Sequence, residues 1–185
     1  MQLPLRVHAL LADVPLHDVW AVDLPRWRSG VTLAAFLRAA DNRPFTLSPV
    51  VRLLLAIRLS VGRVFGWDRE PAASTRDSFA LRLTADDRST SLVPPGTRDG
   101  LFRVVYRFEN EQLLEVINRT AHAAAVSALV EAAGGYRFYF GVYVRSLGHF
   151  TPLYMALIDP VRKLVVYPSL LRSIRARWDR AFGTA

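Results

Sequence analysis

The chain has 185 residues, 51% hydrophobic and 22% charged, the balance of one folded domain able to bury a core without staples. It has no cysteine, which excludes a disulfide framework, a thiolate nucleophile and a redox pair. The 24 Lys and Arg against 16 Asp and Glu leave a net charge of +8, but the basic residues are spread along the chain and alternate with acids, so no nucleic-acid partner is expected.

Residues 1–12 are apolar in flavour but interrupted by Pro4, Arg6 and His8; they read as an N-terminal extension and not as a signal peptide. Residues 13–24 read as an opening strand ended by Pro25. Ser29 and Gly30 then precede a short apolar helix over 31–40, stopped by Asp41, Asn42 and Pro44. Ser48 and Pro49 start a second helix, along which Val50, Leu54, Ile57, Val61 and Phe65 recur at helical spacing. Residues 49–67 are the most apolar window, yet they carry Arg52, Arg58 and Arg63. Each arginine at a bilayer centre would cost on the order of 3 kcal/mol, so no membrane span is predicted.

Residues 70–77 and 84–100 are polar, Pro/Gly-punctuated loops around a short strand at 79–83. From 101 onward four strands follow in close succession: 101–108, 112–118, 121–130 and 136–146. In the first, Phe102, Val104, Tyr106 and Phe108 alternate with Arg103, Val105 and Arg107. In the last, Phe138, Phe140, Val142 and Val144 share one face. Short connections make these an antiparallel meander whose apolar face needs a cover. That cover is a long helix over 150–182, on which Leu153, Leu157, Leu164, Leu171, Ile174 and Trp178 form one stripe. Pro160 and Pro168 lie inside it and should bend or interrupt it. Arg172, Arg175, Arg177 and Arg180 near its end suit a solvated helix terminus.

The order strand, two helices, meander, long helix resembles the START-like superfamily (SRPBCC, birch-allergen-like, helix-grip). Residues 57–67, Ile-Arg through Val-Phe-Gly-Trp, and residues 153–166, with their internal proline, are similar to a bacterial domain family of unknown function. That family is sometimes fused behind NAD(P)-binding epimerase-like domains; here no Gly-x-Gly-x-x-Gly occurs. The expected fold class is therefore α+β: one START-like domain over 1–185, with a curved antiparallel sheet wrapped on a long C-terminal helix. What the resemblance implies is a cavity between sheet and helix for an apolar small molecule or lipid. No cofactor and no metal is expected, and a cysteine-free chain without a signal or span is expected in the cytoplasm.

If the apolar strand faces look into that cavity, Tyr106, Asn118 and His122 share them with Phe138 and Phe140. A hydroxyl, an amide and an imidazole in an apolar pocket are groups that could orient a ligand carbonyl or move a proton. Taken alone, each reads more readily as a strand-end group satisfying nearby backbone. Arg58 on the second helix is a further candidate for an acidic ligand group. Three functions follow: a binding module, a cyclase- or isomerase-like enzyme using the polar groups, or an interaction module whose interior is filled by Phe138, Phe140 and Trp178.

Overall fold

The computed structural model describes residues 3–41, 77–117, 121–146 and 162–183. The predicted second helix at 49–67, the cap at Thr151, and the first part of the C-terminal helix with Pro160 lie outside these residues. The architecture is α+β, built on a curved six-stranded antiparallel sheet. Helix α1 (Arg6–Leu10) comes first, followed by strand β1 (Leu16–Pro25) and helix α2 (Leu33–Asp41). After a 3-10 turn (Phe79–Arg82) and helix α3 (Ala85–Thr90) come β2 (Arg98–Asp99), β3 (Phe102–Arg107), β4 (Glu111–Ile117), β5 (Ala121–Ala132) and β6 (Gly135–Ser146). A π-turn (Arg162–Val166) leads directly into helix α4 (Tyr167–Phe182).

The strands lie in the order β1-β6-β5-β4-β3-β2. Consecutive strands of the meander are therefore neighbours, and β1 closes the sheet by pairing with the last strand, Trp20 opposite Phe140 and Leu24 opposite Tyr136. That pairing brings two backbones together where β6 begins: a Cβ at Gly135 would collide with the Leu24 carbonyl oxygen.

Both faces of the sheet are covered. On one lie α1 and the 3-10 turn, whose Val7, Leu10, Leu11, Phe79 and Leu83 pack on Val105, Tyr106, Leu113, Ala124, Val126 and Tyr143. On the other lie α2 and α4, whose Leu33, Phe36, Ile174 and Trp178 pack on Leu24, Leu129, Tyr136 and Phe138. Trp178 is fully buried, donates from its indole N–H to the Pro25 carbonyl at 2.9 Å, and meets Phe36 edge-on at 5.5 Å. The segment read as an extension thus supplies core residues, since Val7 and Leu11 are buried among the strands.

Several local expectations are corrected. Residues 79–83 form no strand: the Ser78 side chain caps a 3-10 turn by accepting from the Ala80 N–H at 3.1 Å. The predicted loop at 84–100 contains α3, set by a capping box in which Thr84 and Asp87 each bond the other's backbone N–H. It also contains β2. Pro168 interrupts the helix as its position in the sequence implies: the bonding pattern changes from π to α immediately before it, where the proline supplies no N–H. Leu164, placed on the apolar stripe, sits in that π-turn and is 77% exposed. The wider turn rotates it off the stripe that Leu171, Ile174 and Trp178 continue.

Candidate functional site

Strand β4 carries two glutamates, Glu111 and Glu115, on the face toward α1, alternating with Leu113 and Ile117 in a row that is buried throughout. Neither carboxylate is bare. Glu111 accepts from the backbone N–H groups of Arg6 and Val7 at 2.8 and 2.9 Å and from the Tyr106 hydroxyl. It therefore supplies the N-terminal cap that α1 lacks from its own Leu5. Burial, and then the adjacent Glu111 carboxylate, push the pKa of the Tyr106 hydroxyl far above its ordinary value, so the phenol stays a donor.

Glu115 does the same for the 3-10 turn. It accepts from the Phe79 N–H at 2.9 Å, from the Ser78 hydroxyl, and from His122 Nε2 at 2.8 Å. With Nε2 turned to this carboxylate, the other ring nitrogen is Nδ1. That Nδ1 is buried with no hydrogen-bond partner among the described residues. The imidazole lies flat on Phe79, ring centroids 3.7 Å apart. A neighbouring pair ties the two short helices together: Arg6 binds Asp87 through two N–H groups at 2.8 and 2.7 Å. The guanidinium holds the Asp87 carboxyl at about 2, below the usual carboxylate range.

The opposite face differs along its length. At one end Tyr136, Phe138, Leu129 and Leu24 are sealed under α2 and α4. At the other end the rows Val142–Ala125–Leu114 and Val144–Ala123–Val116, aligned by the strand register, are only half-buried, as are Phe140 and Phe102. The result is one contiguous apolar surface reaching across β4, β5 and β6.

The π-turn stands at the β1 side of that surface. Tyr167 packs its ring against Trp20 at 5.2 Å and Phe140 at 6.1 Å, and donates its hydroxyl to Asp18 at 3.1 Å. Asp18, paired in register with Val142, has a side chain only 7% exposed. Lys163 Nζ lies 4.0 Å from one of its oxygens and His17 Nε2 lies 3.9 Å from the other. A wide helical turn thus presents Lys163 and Tyr167, four residues apart, to one carboxylate.

The family model for a protein of unknown function (DUF2867) matches residues 10–169. The chain belongs to that family. No curated protein is significantly similar to it.

Of the six candidate residues in this DUF2867 domain, the four that are described fall on two opposite faces of the sheet. Phe138 and Phe140 lie on the helix-covered face, Phe138 sealed against Phe36 and Phe140 half-buried. Tyr106 and His122 lie on the opposite face, each bonded to its own glutamate. Arg58 and Asn118 fall outside the described residues. The cause at Tyr106 is a bulge: the β3–β4 register shifts between Val104 and Tyr106, so Val104 faces one side and Tyr106 the other. His122 pairs with Ile117 and continues the row of Ala124 and Val126.

Sequence reasoning passed over Glu111, Glu115, Asp18, Tyr167 and Lys163. The signal for the glutamates was a charge recurring four residues apart, and so on one face, in a largely apolar strand. Among the described residues no group of three or more His, Cys, Asp or Glu is placed to hold a metal ion.

Proposed function

We propose that this DUF2867 domain binds an apolar small molecule or lipid on the helix-covered face of its sheet. The observation that carries this reading is the half-buried surface formed by Val142, Val144, Ala123, Ala125, Leu114 and Val116. The interior of a single sheet is sealed on its other face, where Leu113, Ala124 and Val126 are buried. Apolar side chains left part-accessible in the middle of a sheet are what a ligand face requires. Support also comes from the strand order with its C-terminal helix, an arrangement similar to the START-like, helix-grip fold, whose members hold apolar ligands between sheet and helix. No described helix is long and apolar enough to cross a membrane, and we infer a cytoplasmic carrier or sensor as its setting.

An enzymatic reading has one observation in its favour, the Glu115-oriented imidazole of His122 with its unpartnered Nδ1. That nitrogen is buried beneath Phe79 on the other side of the sheet from the apolar surface, and we therefore prefer binding.

The test is native mass spectrometry of the purified protein with extraction of any adduct, alongside titration with a neutral solvatochromic dye. The expected result is an apolar adduct or dye binding that Ala125→Phe abolishes while the circular dichroism spectrum stays unchanged. A bare mass with no dye binding in the unsubstituted protein sinks the proposal.

A further inference from the structure

Lys163 is the only lysine among the 24 Lys and Arg residues of the chain. Everywhere else this sequence places a cation it uses arginine, a planar fork suited to carboxylates and phosphates. At the π-turn it uses the slender side chain whose ammonium is a point donor with three rotatable N–H groups. The side chain is 47% exposed, within reach of an incoming molecule, and its Nζ stands 4.0 Å from the nearly buried Asp18. Tyr167, four residues on, bonds the same carboxylate and lays its ring beside Phe140 and Trp20. One helical turn therefore spans from an ammonium to the edge of the apolar surface, with Asp18 and Val142 in register beside it.

We propose that Lys163, positioned by Asp18 and Tyr167, receives the polar head of the apolar ligand, and that this head is a neutral carbonyl of a ketone, ester or amide. The inference rests on the apolar-binding reading above and adds the ligand class to it. The chemistry selects among heads. An ammonium can only donate, so the head must accept a hydrogen bond. Asp18 stands 4.0 Å from that ammonium, so a ligand carboxylate on Lys163 would meet a second, nearly buried carboxylate. A carbonyl oxygen accepts from Nζ without that cost. An amine head would meet a like charge in Lys163.

The experiment compares undecan-2-one with undecanoate, equal in chain length, each displacing a neutral solvatochromic dye whose own binding reports the apolar surface. In the unsubstituted protein the ketone should bind at least tenfold tighter than the carboxylate. Lys163→Met, which keeps the apolar stem, should weaken the ketone about tenfold and leave dye affinity within twofold. Because Lys163 is the only side-chain amine, an amine-acetylating reagent marks it alone besides the chain terminus, and saturating undecan-2-one should slow that acetylation. Ketone affinity unchanged in Lys163→Met with dye still bound overturns the head assignment and leaves the apolar surface standing. Undecanoate binding tighter than the ketone overturns the neutral carbonyl. Failure of dye, ketone and carboxylate alike removes the apolar-binding reading, and this inference with it.

Discussion

Leu113 and Leu114 are neighbours on one strand, yet the first is fully buried and the second only half-buried. They stand for the two faces of the sheet. The face toward α1 is closed by elements too short to be stable alone, a five-residue helix and a four-residue 3-10 turn. Each is held by a glutamate of β4: Glu111 bonds the first two backbone N–H groups of α1, and Glu115 bonds the first of the 3-10 turn. The face toward α4 is closed at one end by aromatic packing on Trp178 and left part-accessible at the other. On the closed face the rigidity comes from buried carboxylates that bond the ends of short helical elements. The closed face acts as a stiff backing for the face we assign to the ligand.

That contrast can be broken most directly at Glu115. Glu115→Ala strands the Phe79 N–H, the Ser78 hydroxyl and His122 Nε2 at once in a dry site. A loss of about 3–5 kcal/mol in urea unfolding is expected, a large share of the ~5–15 kcal/mol typical of a domain. A loss below about 1 kcal/mol would show the cap to be incidental. The paired leucines sharpen the comparison. Leu113→Ala should cost about 2–5 kcal/mol, whereas Leu114→Ala should cost roughly 1 kcal/mol and weaken dye binding. Equal costs would mean that the two faces are packed alike. The smallest effect is the acid response of the Arg6–Asp87 clamp. The folded-state pKa of Asp87, about 2, lies below the ordinary 3.8. Its contribution is therefore complete above the ordinary value and fades as pH falls from about 4 toward 2. That contribution is on the order of 1 kcal/mol, and Asp87→Asn should remove this part of the acid sensitivity in urea midpoints taken between pH 6 and 2.5.

The strands were legible because alternation and tight turns are local signals. The meander, its boundaries to within a few residues, and the C-terminal helix over Ile174 and Trp178 all follow from spacing alone. The faces were less legible. A single bulge between Val104 and Tyr106 reverses which side chains look which way, and nothing in the residue types of β3 announces it. Because the sheet is covered on both sides, apolar character could not say which cover belongs to which row. The 3-10 turn was read as a strand because its stabilising partner, Glu115, is 36 residues away in the chain. The docking of α1 depends on Glu111, more than a hundred residues distant. Asp18 could be found beside Lys163 only once β1 had been laid against β6.

That last pairing has a consequence for how the molecule is made. Leu16 pairs with Tyr143 and Pro25 with Gly135, separations of 127 and 110 residues (143 − 16 and 135 − 25). During synthesis at roughly 5–20 residues per second, β1 would wait about 5–25 seconds for the strand that completes it. Throughout that interval its Val19 and Trp20 have no sheet to join. The nascent chain must carry an unpaired, largely apolar strand past the ribosome exit until β6 has been made.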